Sequence, residues 1–106
     1  MAGPSLNRVF MIGRLTKDPE LRYTQTGTAV ASARMAVNRE FTGKDGKREE
    51  TCFVNVVAWA KQAEIWAEYL KKGNLVFIEG RLQSREWETP EKERRSTLEI
   101  IVENFQ

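Results

Sequence analysis

Apolar and polar residues alternate most clearly over residues 51–60, Thr-Cys-Phe-Val-Asn-Val-Val-Ala-Trp-Ala. Because successive side chains of a β-strand point to opposite faces, this alternation predicts a strand with two different faces. One face suits a core and carries small side chains, Cys52, Val54, Val56 and Ala58. The other carries Phe53, Asn55, Val57 and Trp59. Such a face is either covered by another protein surface or binds a flat ligand such as a nucleobase, since stacking is worth about 1–3 kcal/mol per base.

Residues 6–16 alternate in the same way and predict the first strand of the chain. Its core face would hold Val9, Met11, Gly13 and Leu15. The opposite face is apolar in its middle, at Phe10 and Ile12. We therefore expect a partner to cover this face, and an identical subunit is the simplest partner.

Residues 29–41 predict a strand that is buried on one side only. The core side would hold Ala29, Ala31, Ala33, Met35 and Val37, and the polar side has Arg34 at its centre. Phe41 ends this strand beside a basic, glycine-containing loop over residues 42–48. That loop is either a solvated hairpin tip or a flap that grips phosphates, and the aromatic ring at its base favours the flap.

Residues 61–72 predict the one helix of the chain, because Ala63, Trp66, Ala67 and Leu70 repeat at helical spacing. Gly73 would end this helix, and Lys71 and Lys72 would lie where the helix dipole favours cations. Trp66 and Tyr69 are interpreted as packing residues of the helix.

Residues 74–88 predict a fourth strand, and residues 98–105 predict a fifth. The fourth would point Val76, Ile78, Gly80 and Leu82 inward and Phe77, Glu79, Arg81, Gln83, Arg85 and Trp87 outward. A hairpin loop around Pro90 is expected over residues 86–97, and residues 1–5 are expected to be disordered. In the last strand the Ile100–Ile101 pair leaves the core-facing parity open.

The predicted order is three strands, a helix and two strands, in a single domain over residues 1–106. Gly13 and Gly80 lie inside strands, where glycine often marks a barrel corner or a bulge. The fold class is all-β with one helix. The pattern matches a five-stranded Greek-key barrel with the helix between strands three and four, which is the oligonucleotide/oligosaccharide-binding (OB) fold.

Composition limits the possible chemistry. The chain has one cysteine, Cys52, and no histidine. An internal disulfide and a multi-cysteine zinc site are therefore excluded, and so are Ser-His and Cys-His nucleophile pairs. This argues against an ordinary hydrolase or transferase, and no cofactor, metal ion or small-molecule substrate is predicted. No uncharged apolar run approaches the roughly 20 residues of a membrane span, so a soluble, cytoplasmic protein is expected.

The net charge is only +2, but the charges are unevenly distributed. Residues 1–48 hold nine Lys/Arg against four Asp/Glu, whereas residues 49–106 hold eight against eleven. A modest total charge can therefore contain a basic stripe suited to backbone phosphates, although an ordinary mixed surface gives the same count.

Several segments together resemble the bacterial single-stranded DNA-binding proteins. The resemblance begins at residues 7–23, Asn-Arg-Val-Phe-Met-Ile-Gly-Arg-Leu-Thr-Lys-Asp-Pro-Glu-Leu-Arg-Tyr, and continues through residues 27–31, 36–39, 69–73 and 78–82. It extends over residues 6–105. A long ordered series of this kind is far more specific than a short motif.

The resemblance implies an OB-fold domain that binds single-stranded DNA during replication, recombination and repair, and that is not an enzyme. It implies base stacking on four aromatic residues, Phe41, Phe53, Trp59 and Trp87. Family members often have tryptophan at the first two of these positions and phenylalanine at the third. Contacts with the DNA backbone would come from Arg8, Arg34, Arg39, Lys44, Lys61, Lys72, Arg81 and Arg85, with Lys47, Arg48 and Arg95 as further candidates. Asn55 could hydrogen-bond a base or a phosphate. Asn55 could equally be a solvated strand residue.

The resemblance also implies a dimer, formed through the first strands, that pairs into a homotetramer. The expected interface residues are Phe10, Ile12 and Phe77. A bacterial, nucleoid-associated location follows from the same likeness. Typical members continue into a flexible linker and an acidic tip that recruits replication and repair proteins. These 106 residues end without such a tip, so those partners are expected only of a longer natural chain.

Two alternatives are left open. In one, an OB-fold replication-accessory protein uses the aromatic faces to bind a protein partner. In the other, a nuclease acts through acidic residues and a metal ion. The available carboxylates, such as Glu79 and Glu86, lie singly among Arg and Gln, which does not favour two-metal chemistry.

Overall fold

Seven elements of secondary structure form in a computed structural model of the chain, which describes residues 3–106. The elements are β1 (Val9–Leu15), β2 (Glu20–Tyr23), β3 (Ala29–Gly43), β4 (Gly46–Trp59), α1 (Lys61–Tyr69), β5 (Leu75–Glu88) and β6 (Arg94–Phe105). The nine-residue α1, the helix of the described part, is too short to cross a lipid bilayer.

The strands form one sheet in the order β1-β5-β6-β4-β3-β2, and additional pairing between β1 and β3 closes it into a barrel. Neighbouring strands are antiparallel except β4 and β6, which are parallel. The predicted five-stranded barrel with α1 between its third and fourth strands is confirmed. The four-residue β2 was not predicted; it pairs only with β3, at the margin of the sheet.

The core faces of the strands follow the alternation of the sequence. Fully buried side chains include Met35, Val56, Val76, Ile78 and Ile100. Trp66 of α1 is also fully buried and packs edge-on against the Phe105 ring, with 5.7 Å between centroids. The open parity of β6 is resolved because Ile100 and Val102 belong to the core cluster, whereas Ile101 is buried but lies outside that cluster.

Three packing predictions are wrong. Cys52 is exposed, because β3 and β4 continue past the barrel as a two-stranded ribbon in which neither face meets a core. Leu82 is 43% exposed for a similar reason, since β5 and β6 extend beyond the barrel as a hairpin. Tyr69 is 67% exposed at the end of α1, so it is not a packing residue.

The helix ends at Tyr69, three residues before the predicted end. The backbone amides that would continue it are bonded elsewhere. Lys72 N–H donates to the Asp18 carboxylate at 2.8 Å, and Gly73 N–H donates to the Leu15 carbonyl at 2.8 Å. The segment 71–74 is thus a turn that joins the end of β1, and the lysines do not lie in the last helical turn.

Two predicted loops are shorter than expected. The basic loop expected over residues 42–48 is a turn at residues 44 and 45, because β3 continues to Gly43 and β4 begins at Gly46. Strand β5 continues to Glu88 and β6 begins at Arg94, so the expected loop over residues 86–97 is a shorter turn over residues 89–93. The expectation of disorder at residues 1 and 2 lies outside the described residues. Residues 3–8 form no helix or strand, and disorder at residues 3–5 stays a prediction.

Ala60 joins β4 to α1 in a backbone conformation that favours glycine, with φ 57° and ψ −127°. A non-glycine residue in such a region costs about 1–3 kcal/mol. The conformation persists because the Ala60 N–H donates to the Ala29 carbonyl at 2.8 Å, while the Ala60 carbonyl accepts the first bond of α1 from Glu64. The strain lies directly after Trp59.

We predict that Trp66→Ala lowers the free energy of unfolding by about 3–5 kcal/mol, because it leaves a large cavity in the core. Trp66→Phe should be much milder. It keeps a ring against Phe105 and removes the buried indole N–H, which has no hydrogen-bond partner among residues 3–106. Urea unfolding of both variants measures this difference. Equal losses from the two substitutions would contradict the prediction.

We predict that Ala60→Gly raises the free energy of unfolding by about 1 kcal/mol, since relief of backbone strain exceeds the added entropy of the unfolded chain. Ala63→Gly is the matched control: it removes a buried methyl group inside α1 and should lower stability by about 1 kcal/mol or more. Thermal or urea unfolding of the two variants should therefore give changes of opposite sign.

Candidate nucleic-acid interface

A groove runs along the outside of the barrel between the β3–β4 face and the β5–β6 face. It consists of two adjoining cavities of about 500 and 450 Å³. Four residues line both cavities, Ser32, Val57, Arg85 and Glu99. Because the cavities share these walls, we treat them as one feature, the outer groove.

Strand register brings these side chains together. Arg34 lies opposite Asn55, and Ser32 lies opposite Val57, on β3 and β4. Asn55 is in register with Glu99 of β6. Glu99 in turn lies opposite Gln83 of β5, and Thr97 lies opposite Arg85. Side chains in register on neighbouring strands share a face, so four strands present one continuous lining.

The groove holds an exposed tryptophan towards each end. Trp87 lines one cavity beside Arg34, Asn55 and Arg85, and Trp59 lines the other. The two indoles are 44% and 43% exposed, respectively. Their rings are therefore available to a flat ligand, with the apolar Val57 between them on the groove wall.

Phe53 is 52% exposed and lies on the same face of β4 as Asn55, but it lines neither cavity. The groove residue Arg34 connects it to the site, because its guanidinium lies 4.9 Å from the centre of the Phe53 ring. Phe53 thus extends the aromatic surface beyond the groove, towards the β3–β4 ribbon.

Each of three predicted stacking rings has a guanidinium over it. The pairs are Arg34 with Phe53, Arg39 with Phe41 and Arg85 with Trp87, at 4.9, 5.1 and 5.8 Å from ring centre. A cation over an exposed ring is worth about 0.5–1 kcal/mol. The aromatic rings and the cations predicted from the sequence therefore contact one another in the free protein.

Phe41 lies on the opposite face of the ribbon from Phe53. Phe41 is in register with Arg48, whereas Phe53 is in register with Ala36, and positions of different parity on β3 point to opposite sides. Arg39 shares the face of Phe41 and also pairs with Glu50 at 2.9 Å. The structure does not bring Phe41 and Arg39 into the outer groove, and their contact with DNA stays a prediction.

The other predicted backbone contacts also lie outside the groove lining. Arg8 pairs with Glu79 at 3.0 Å and with Glu103 at 3.6 Å, while Arg81 is 3.9 Å from Glu103. The remaining cations are Lys44, Lys61 and Lys72, together with the further candidates Lys47, Arg48 and Arg95. Of the last three, Arg48 pairs with Asp45 and Arg95 with Glu93. A role in DNA binding stays a prediction for all of them.

Sequence reasoning missed several groove residues. Lys17, Arg22 and Tyr23 come from β2 and the segment before it, while Gln83, Thr97 and Glu99 come from β5 and β6. The alternation Glu20-Leu21-Arg22-Tyr23 was a possible signal, because Leu21 is half-buried while its neighbours are exposed. Four residues are too few for periodicity alone to establish a strand.

Glu20 adds a negative charge to the groove, and it is paired. Arg22 donates to its carboxylate from Nε at 2.9 Å and from Nη2 at 2.6 Å. That hydrogen bonding, together with the positive charge of Arg22, lowers the pKa of Glu20, and Lys17 lowers it slightly further. Glu20 is therefore ionised at neutral pH.

A second exposed surface lies on the outer side of β1 and β5. Phe10 and Ile12 are 63% and 58% exposed, and Phe77 lies opposite Ile12 beside the exposed Leu75. These four side chains form the β1–β5 apolar face. Strand β1 pairs with β3 only at Arg14 and Leu15, so within the described residues its edge over residues 9–13 has no partner strand.

No three Asp, Glu, Cys or His side chains within residues 3–106 are placed to hold a metal ion.

Comparison with known proteins identifies the family. The family model described as "Single-strand binding protein family" matches residues 6–106. The chain is 52% identical over 101 residues to single-stranded DNA-binding protein A of Bacillus subtilis, and 48% identical over 101 residues to single-stranded DNA-binding protein 2 of Listeria monocytogenes. Each match includes 95% of this chain but only 58% and 62% of the respective relative, so the chain spans less than two-thirds of their length.

Solved structures agree with the sequence comparison. A deletion mutant of the single-stranded DNA binding protein from Thermus aquaticus superimposes with a TM-score of 0.83 at 38% identity, over 95% of this chain and 49% of that one. The Plasmodium falciparum SSB in complex with ssDNA gives a TM-score of 0.89 at 25% identity, over 100% and 96% of the two chains. Fold, outer groove and sequence similarity agree, and the chain belongs to the single-strand binding protein family.

Proposed function

We propose that this chain binds single-stranded DNA without strong sequence preference and acts as a binding protein, not as an enzyme. Bases stack on exposed aromatic rings while arginines neutralise the phosphates. The bound strand is thereby kept unpaired and shielded from nucleases during replication, recombination and repair. The observation that carries the proposal is the outer groove, in which Trp59 and Trp87 lie exposed beside Arg22, Arg34 and Arg85.

The chemistry of the groove supports a ligand with flat apolar faces and a charged backbone. Every base offers a π-face, so stacking on indole tolerates any sequence. Guanidinium groups bind phosphate oxygens in a planar, bidentate way. The names of the relatives, and the ssDNA complex of the Plasmodium protein, support the same ligand.

We also propose that the chain self-associates through the β1–β5 apolar face, first as a dimer and then as a homotetramer. Two observations support this. The face exposes Phe10, Ile12 and Leu75 together, and such contiguous apolar surface usually marks an interface. The free edge of β1 can accept a strand from a second copy, which adds backbone hydrogen bonds to the apolar contact.

We predict that Trp59→Ala and Trp87→Ala each weaken binding of a thymidine oligomer by about 5- to 150-fold, the equivalent of a stacking loss of 1–3 kcal/mol. Quenching of tryptophan fluorescence measures the single variants, and fluorescence anisotropy of a labelled oligomer measures the double variant. Tyr69→Ala is the matched control, because Tyr69 is an exposed aromatic residue that lines neither cavity.

Salt dependence separates the two parts of the proposed mechanism. The slope of log affinity against log salt is about −0.7 per neutralised phosphate for single strands. This slope should stay unchanged in Trp59→Ala, which removes no charge, and become shallower in Arg34→Gln or Arg85→Gln.

Unaltered affinity in both tryptophan variants would reject the proposal. Tight binding of a protein partner with weak binding of bare DNA would instead favour the protein-interaction alternative.

We predict that Ile12→Asp shifts the chain towards the monomer, because it places a charge in the middle of the β1–β5 apolar face. Light scattering or sedimentation measures the mass. Leu98→Asp is a matched control, since Leu98 is similarly exposed but lies on β6, outside this face. A monomeric wild-type chain, or an Ile12→Asp variant with unchanged mass, would contradict self-association through this face.

A further inference from the structure

One carboxylate lies in the middle of the outer groove. Glu99 lines both cavities, and it is half-buried in β6 between Asn55 of β4 and Gln83 of β5. A negative charge at this position opposes a phosphate backbone. The groove is therefore not uniformly suited to phosphates, and the exception is at its centre.

Glu99 differs from the other acidic groove residue in its bonding. Glu20 is held by Arg22, whereas Glu99 makes no ion pair and no side-chain hydrogen bond among residues 3–106. Arg34 and Arg85 line the same cavity but lie over aromatic rings. A half-buried carboxylate with free acceptor oxygens gains when a donor reaches it, because hydrogen bonds to charged groups are among the strongest in proteins.

The charges of the outer groove favour one orientation of a bound DNA strand, with its phosphates at the arginines and its base edges at Glu99. Phosphates favour the guanidinium groups, and they avoid Glu99. Base edges are uncharged and carry N–H donors, so they are the part of a nucleotide that suits the centre of the groove. Cytosine offers a 4-amino group, and carboxylate acceptance from that group is a known mode of base recognition. Thymine has a carbonyl oxygen at the same position, which repels a carboxylate.

We propose that Glu99 accepts a hydrogen bond from the exocyclic amino group of a base in the outer groove, and so favours cytosine over thymine at that nucleotide. The neighbouring amides of Asn55 and Gln83 can each donate or accept, so they do not discriminate in the same way. This inference rests on the proposed function. It is compatible with weak overall sequence preference, because only one of several bound nucleotides is read.

The test compares oligomers of equal length made of 5-methylcytosine, thymine or N4,N4-dimethylcytosine. The first two carry the same methyl group and differ only along the pairing edge of the base, while the third has no N–H at position 4. Affinities are measured by competition at pH 8 for the wild-type chain, for Glu99→Gln and for Glu68→Gln. Glu68 is an exposed carboxylate of α1 outside the groove, so its variant controls for the change in net charge.

The expected result is that the 5-methylcytosine-to-thymine affinity ratio falls about three- to tenfold in Glu99→Gln and stays constant in Glu68→Gln. In the wild-type chain, dimethylation should remove the preference. A Glu99→Gln variant that binds all three oligomers more tightly by one common factor would overturn the proposal, because Glu99 would then act only by repelling phosphates. A wild-type chain that binds none of the oligomers would reject the proposed function itself.

Discussion

The closed barrel depends on two places where neighbouring strand backbones lie so close together that only glycine fits. A Cβ atom on Gly13 would lie 2.6 Å from the Ala36 carbonyl oxygen, at the point where β1 meets β3 and the barrel closes. A Cβ atom on Gly80 would collide with the Ile101 carbonyl oxygen, next to the register shift between β5 and β6. The β1–β3 pairing contains only two residue pairs, and the Thr16 N–H extends it with a hydrogen bond to the Arg34 carbonyl at 2.9 Å. Closure in turn curves the sheet and sets the positions of the groove walls.

Most of the fold could be predicted from alternation, because a sheet buried on one side records its faces in the sequence. The core parity of β1 and the inner part of β3 follows that rule, with Leu15 and Met35 buried as predicted. Gly80 was expected to mark a barrel corner or a bulge, and the register of β5 against β6 shifts between Glu79 and Gly80. Alternation fails to predict burial where the strands extend beyond the barrel. Cys52 keeps the parity of a core residue but has no core beneath it, and only the length of the ribbon explains this.

The candidate site was predicted less completely, because it depends on which strands become neighbours. The exposure of Trp59 and Trp87 could be expected from their parity. Nothing in the local sequence indicates that Arg8 would pair with Glu79, or that Glu99 would lie beside Asn55 across a parallel pair. These contacts join residues that are far apart in the chain. The early end of α1 has the same origin, since the Asp18 side chain binds the backbone of Lys72 across 54 positions.

The guanidinium groups over Phe53 and Trp87 affect how much free energy a base would gain by stacking on these rings. In the proposed complex, a base that stacks on the covered face of either ring would displace the guanidinium, so the net gain per nucleotide would be a difference between two attractive contacts. In the proposed complex each site is therefore modest, and overall affinity comes from their number. A ligand held by many small, interchangeable contacts can give up one while keeping the rest. Such a complex would allow the DNA strand to slide along the protein without dissociating from it.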